Sequence, residues 1–165
     1  MIRFLLMALF AMLIGQASAQ DMKIRDVFCQ MPDSLMPSLS QNNRLDFIDF
    51  MDSNMKAAVR NQLGGMSEMT ALTADSLSVR VSDALQVDML LMTLDEPVDT
   101  IQQVVVFKET FLTDSVYGDT TVRYFTPDWQ IVTKVIPWSD QQRRRIEHLD
   151  LKNILKWNDD IINKS

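Results

Sequence analysis

The hydrophobic pattern of this 165-residue chain changes period at Gly64–Gly65, and that change restricts the fold more than any other feature. Before the glycine pair, apolar residues recur every three to four positions, as on one face of a helix. After it they alternate, as along a strand with one face buried. Helices, then strands, then a last helix argue against alternating βαβ units. The order predicts an α+β domain: N-terminal helices, an antiparallel meander of about five or six strands, and a C-terminal helix.

In "IRDVFCQM", Ile24, Val27, Phe28 and Met31 fall on one helical face, and Pro32 ends that helix. "PDSLMPSLSQNN" reads as broken turns pinned by Leu35, Met36 and Leu39. A second helix is expected from about Asn43 to Leu63, closed by the glycine pair. On a wheel of 100° per residue, Phe47, Ile48, Met51, Met55, Ala58 and Val59 form an apolar stripe. Asp46, Asp49, Ser53, Lys56 and Arg60 lie opposite. The regular spacing of Asp46, Asp49 and Asp52 therefore reads as a solvated face, not as a metal or acid–base site. Asp52 stands four residues before Lys56, the favourable order for an ion pair on one helix. Phe50 is out of place on the polar side, which makes it a candidate contact residue.

Beyond Gly65, "SLSVRVS", "LQVDMLLMTL", "QQVVVFKETF", "TTVRYF" and "QIVTKVI" read as strands. "DEPVD", "YGD" and "TPDW" read as turns, with Pro127 in the second position of the last. "SDQQ" is a capping box in which Ser139 caps and Gln142 reaches back. The helix it opens carries Leu149, Leu151, Ile154, Leu155 and Trp157 as apolar residues.

The first 19 residues stand apart from this domain. Arg3 precedes an apolar run, "FLLMALFAMLI", and then small residues at Ala17 and Ala19. This is the pattern of a secretory signal peptide, with cleavage expected between Ala19 and Gln20 and one domain over 20–165. The apolar run is too short for a stable membrane anchor, which needs about 20 residues. A lipid anchor needs a cysteine at the cleavage point, and Cys29 lies further on. The expectation is an exported protein of the periplasm or cell envelope, with no transmembrane segment after cleavage.

Composition narrows the chemistry. The net charge is −6, and loss of Arg3 with the leader makes it one unit more negative. Phosphate backbones repel such a chain, so no nucleic-acid partner is expected. The basic cluster, Arg143–Arg145, fans around a helix instead of forming one patch. One Cys and one His, Cys29 and His148, do not suffice for a conventional zinc site, and nothing in the sequence joins them as nucleophile and base. Cys29 reads as a small core residue. Asp is abundant, but the calcium loop pattern is absent and "DSVYGDT" is only a weak approximation. The pairs Met66/Met69 and Met89/Met92 suit a core, an apolar groove or, less well, copper(I). Neither a G-x-S-x-G nor a G-x-G-x-x-G motif occurs. No catalytic residue, metal ligand or cofactor is assigned.

One short pattern exceeds its chance frequency. Asp, then Ser or Thr, then an apolar residue or Thr, occurs at Ser34, Ser76, Thr100, Ser115 and Thr120. Composition alone predicts about one such triplet. The pattern resembles the O-glycosylation acceptor signal of exported Bacteroidetes proteins. It is equally the pattern of Asp-Ser and Asp-Thr pairs that cap turns before strands.

"MPDSLMPSLSQNNRLDFIDFMDSNMK", with "LTADSLSVRVSDALQVDMLL" downstream, resembles a small family of exported Bacteroidales proteins known only as a domain of unknown function. That resemblance implies an envelope location and an α+β domain, and it brings no catalytic residues. The expected role is a non-enzymatic binding module for another envelope protein or an apolar ligand. The alternatives are a hydrolase built on Asp carboxylates and a calcium-stabilised envelope domain.

Overall fold

The computed structural model of the chain describes residues 22–113 and 116–149. Helix α1 spans Ile24–Cys29, and a 3₁₀ turn follows at Asp33–Leu35. Helix α2 spans Gln41–Asp52. Six strands succeed it: β1 Ala58–Arg60, β2 Met66–Leu72, β3 Ser76–Ser82, β4 Leu85–Val98, β5 Ile101–Thr113 and β6 Val116–Phe125. A final helix, α3, begins at 140 and is described to 149. The strands pair antiparallel in the order β1-β2-β3-β4-β5-β6, the expected α+β meander.

Both sheet faces are covered, because the middle strands are apolar on both sides. Val87, Met89, Val105 and Phe107 join Ile24, Val27, Phe28, Phe47 and Ile48 in the main core beneath α1 and α2. The alternate residues Leu90, Met92 and Val106 meet Trp138, Ile146 and Leu149 on the other face. Leu94 and Val104 meet Val132 and Ile136 there. Each large side chain buried in this way contributes roughly 1.5–3 kcal/mol. Trp129 ties the end of the sheet to the first helix: its indole N–H donates to the Val27 carbonyl at 2.9 Å.

Helix α2 starts on a capping box. The Asn43 N–H donates to Ser40 Oγ at 3.3 Å, and the Ser40 N–H donates to Asn43 Oδ1 at 3.2 Å. It ends at Asp52, well before Leu63, because Asn54 takes the left-handed conformation (φ 52°). The Met55 N–H then reaches the Phe50 carbonyl at 2.9 Å and the Asn54 N–H reaches that of Met51 at 3.2 Å, closing a Schellman motif. Met55 is consequently exposed, and Ala58 and Val59 belong to a strand. Gly64 serves the β1–β2 turn instead, at φ 84°.

Three further expectations are corrected. "QIVTKVI" forms only an isolated bridge, Ile131 to Phe125, before the chain turns across the sheet. "DEPVD" is not all turn: β4 continues through Pro97 to Val98, which pairs with Ile101 around Asp99–Thr100. "YGD" is not a turn either. It lies within β6, where Thr120 pairs with Thr110 but Tyr117 pairs with Leu112, so β6 carries one extra residue in a bulge. Gly118 occupies the bulge because a Cβ there would stand 2.5 Å from the Phe111 carbonyl oxygen.

Candidate functional site

The acids of α2 do not converge. Asp46 and Asp49 are exposed. Asp52 does not pair with Lys56, which lies beyond the helix end and bonds Glu68 at 3.3 Å. Asp52 instead accepts two hydrogen bonds from Arg25 of α1, at 2.7 and 2.9 Å. These bonds hold its carboxyl below the usual carboxylate range and raise the Arg25 guanidinium. The pair borders an open depression of about 340 Å³ lined by Lys23, Met51, Leu72, Thr73 and Ala74. Among the described residues no group of three or more His, Cys, Asp or Glu is placed to hold a metal ion.

The residue that sequence reading missed is Arg44. It is 1% exposed. Its guanidinium donates to the Leu39 carbonyl at 2.6 Å, to the Met31 carbonyl, and to Asp33 Oδ1 at 2.8 Å. The helical wheel carries the signal, for Arg44 falls at about 160°, in the middle of the apolar stripe. Cys29 lies close by, partly buried against the main core. Burial raises its thiol pKa, and the charge of Arg44 opposes that only in part. His148 is exposed on α3.

A second polar group is buried on the face under α3. Ser78 on β3, Asp88 on β4 and Lys108 on β5 form one cross-strand row, all under 5% exposed. The Ser78 hydroxyl donates to Asp88 Oδ1 at 2.6 Å, and Gln86 Nε2 donates to the same carboxylate at 3.0 and 3.2 Å.

Phe50 is half-buried and packs against the main core. Met89 and Met92 point to opposite faces of β4 and enter different cores. Met69 is buried, whereas Met66 is exposed. Of the Asp-Ser/Thr positions, Ser34, Thr100 and Thr120 are exposed. Ser76 is half-buried with its hydroxyl 2.8 Å from Thr73 Oγ1, and its neighbour Asp75 is held by Arg145 at 2.6 Å. Ser115 lies outside the described residues, as do Ala17, Ala19 and Gln20. Arg143 bonds the Trp138 carbonyl at 3.2 Å, so it and Arg145 turn to different partners.

The two edges of the sheet differ. On β1, the Arg60 carbonyl accepts from Asn43 Nδ2 at 3.4 Å, and the adjoining Gln62 N–H donates to the Ser38 carbonyl at 2.9 Å. On β6, the Val132 N–H reaches the Tyr124 carbonyl at 2.8 Å. The Tyr124 peptide therefore faces away from β5, and so does that of Val122, two residues earlier. Among the described residues, none outside the β5–β6 pair makes a main-chain hydrogen bond to Val122. Val122 (39%), Ile131 (62%) and Val135 (91%) are exposed apolar residues of β6 and the segment that follows it.

Comparison with known proteins agrees with this fold. A family described as "Protein of unknown function (DUF3256)" matches residues 15–161. A solved structure, described as a domain of an uncharacterized protein from Porphyromonas gingivalis W83, is similar at 17% identity. Its TM-score is 0.53, and the match covers 77% of this chain and 70% of that one. No curated protein matches.

Proposed function

We propose, from the premise that this chain belongs to the family Protein of unknown function (DUF3256), that it is an exported cell-envelope protein that works by binding a partner. The observation that carries this reading is the β6 edge, with outward peptide groups at Val122 beside exposed Val122, Ile131 and Val135. A strand edge left in that state is a template for pairing with another chain. A protein partner fits better than an apolar ligand, because Met89 and Met92 are used up in separate cores. The leader pattern at Ala17, Ala19 and Gln20 supports export, and exposure of Ser34, Thr100 and Thr120 is compatible with O-glycosylation there.

Capture from the periplasm with the processed chain as bait tests the binding role. Repeated recovery of no specific protein, this chain included, rejects it. Intact-mass measurement of the native product tests the rest: a retained Met1 rejects cleavage, and no mass beyond the processed polypeptide rejects glycosylation.

A second reading, a hydrolase using Asp carboxylates, has its best footing in the Ser78–Asp88 hydrogen bond with Lys108 opposite. Burial of all three argues against it, since a substrate has no path to them without local opening. Ester or amide hydrolysis abolished by Asp88→Asn with the fold intact would establish it.

A further inference from the structure

We infer that the open depression beside Lys23 and Leu72 takes the C-terminal tail of a partner protein, as an extended segment laid parallel to β2 with its free carboxylate on Lys23. This site lies on a different part of the fold from the β6 edge.

The site exists because β1 is too short for its neighbour. β1 has three residues and pairs with Met66–Glu68. The Met69 N–H still reaches the Ala57 carbonyl at 2.8 Å. β2 then runs on to Leu72 with no strand on that side. At its far end the Ile24 N–H donates to the Ala74 carbonyl at 3.2 Å, which brings the start of α1 back to the same edge. Between these two anchor points the edge is open. The Thr73 N–H donates to the Ser76 carbonyl at 2.8 Å, so Thr73 faces β3. Leu72, one residue earlier, therefore turns its N–H and C=O away from β3. Among the described residues none makes a hydrogen bond to the Leu72 main chain from that side.

The depression, of about 340 Å³, lies against this gap. Ligand sites begin at roughly 300 Å³. Its walls differ in charge. Arg25 is held by Asp52 at 2.7 and 2.9 Å, and the Asp52 carboxylate repels a second anion from that wall. Lys23 makes no ion pair among the described residues. It precedes Ile24, so it marks the Ala74 end of the gap. A carboxylate on Lys23 therefore requires the bound segment to run parallel to β2.

The parallel arrangement also satisfies Leu72. In a parallel pair the N–H and C=O of one residue engage two residues of the neighbour, two positions apart. The Leu72 N–H meets the carbonyl of the third-last residue of the tail, and the Leu72 carbonyl accepts from the N–H of the last. The half-buried Met51 gives the last side chain an apolar wall. Strand addition and capture of a terminal carboxylate are both established ways of binding a peptide.

Titration of the processed, nitrogen-15-labelled chain with acetyl-alanyl-alanyl-leucine tests the inference. Saturable shifts are expected at the Ile24, Leu72 and Thr73 amides, with a Kd between about 10 μM and about 1 mM. The Leu72 amide proton should move downfield, because it gains an acceptor. The same peptide ending in an amide should bind at least about 10-fold more weakly, and so should the free acid to Lys23→Gln. Lys23 is exposed and its side chain makes no cap bond, so that variant should fold normally. Lys56→Gln removes a cation that pairs with Glu68 elsewhere and should bind like the wild type. The same three residues at the end of a folded carrier protein should bind about as tightly as the free peptide. The absence of saturable shifts at the lining residues overturns the inference, as do an unmoved Leu72 amide and equal binding of the amidated peptide. Binding of the free peptide but not of the carrier overturns the assignment to a protein tail. Each of these failures leaves the β6 edge untouched, so capture through that edge still tests the broader binding role.

Discussion

Arg44 and Asp33 form an ion pair of 2.8 Å in which the cation is 1% exposed and the carboxylate 64%. The asymmetry says which partner matters. Asp33 sits in water, where an ion pair contributes roughly 0–1 kcal/mol. Arg44 crosses the interior to satisfy the carbonyls of Met31 and Leu39, and so fastens the segment between α1 and α2 to the underside of α2. Arg44→Met should therefore destabilise the chain by about 3 kcal/mol, since two carbonyls lose their charged donor. Asp33→Asn should cost less than about 1 kcal/mol. Urea unfolding of both variants checks this, and equal losses would show the surface carboxylate to be the anchor.

How much of this arrangement was legible depends on how local each cause is. The Ser139/Gln142 box was readable because both partners lie within four residues, and it is present: the Ser139 N–H donates to Gln142 Oε1 at 3.0 Å. β3 was readable over Ser76–Ser82 because Leu77, Val79 and Val81 alternate with polar residues, although Ser78 on the polar side is buried too. The short β1 was not, since three residues hold too little period to detect, and its pairing with β2 creates it. The true end of α2 was visible in principle at Asn54, but the adjacent glycine pair gave a stronger stop signal further on. Arg44 was hidden by the rule that charge lies outside. Its burial depends on Met31, Asp33 and Leu39, contacts that no helical wheel contains. The β6 edge was out of reach for the same reason, because strand order is a property of the whole sheet.

Cys29 provides a pH-dependent test. Burial raises its folded-state pKa above the unfolded value. The thiol is neutral in both states below the unfolded value, about 8.5, so its contribution is fully present there. As pH climbs past that value and through the higher folded one, the unfolded chain ionises first and the contribution is lost. Wild-type stability should thus fall on the alkaline side, and Cys29→Ala, which also loses the packing of the sulfur on the main core, should flatten that fall. Alkylation by iodoacetamide at pH 8 should also run at least about 10-fold slower in the folded chain than in urea. A folded-state rate equal to that in urea would mean the thiol is neither shielded nor shifted.

Gly118 and Gly65 should respond differently to the same substitution. A Cβ at Gly118 would meet the Phe111 carbonyl oxygen at 2.5 Å, and a backbone atom inside a paired strand cannot move aside cheaply. At Gly65 the nearest atom is the Asn61 amide nitrogen at 3.4 Å, ordinary contact. Gly118→Ala should cost about 1–3 kcal/mol and loosen the β5–β6 end. Gly65→Ala should stay below about 1 kcal/mol. Hydrogen exchange localises the effect: faster exchange confined to the β5–β6 end is expected for the first variant only.

Gln142 separates a helix cap from a tertiary anchor. Its side-chain oxygen accepts from the Ser139 N–H, completing the capping box. Its amide nitrogen donates to the Thr93 carbonyl at 3.0 Å and lies 3.4 Å from Asp95 Oδ1, which docks the start of α3 on β4. In an isolated helix Glu serves the box as well as Gln. Here Glu would turn an acceptor toward the Thr93 carbonyl and a negative charge toward Asp95. Gln142→Glu should consequently destabilise by about 2 kcal/mol at neutral pH, although it preserves the box. The loss should shrink as pH falls and the new carboxylate protonates, regaining a donor. Gln142→Ala, which removes both roles, should show no such recovery on acidification. Unfolding of the two variants at pH 7 and pH 5 decides the matter: equal losses at both pH values for Gln142→Glu would mean that the cap alone governs α3 and the contact with β4 contributes nothing.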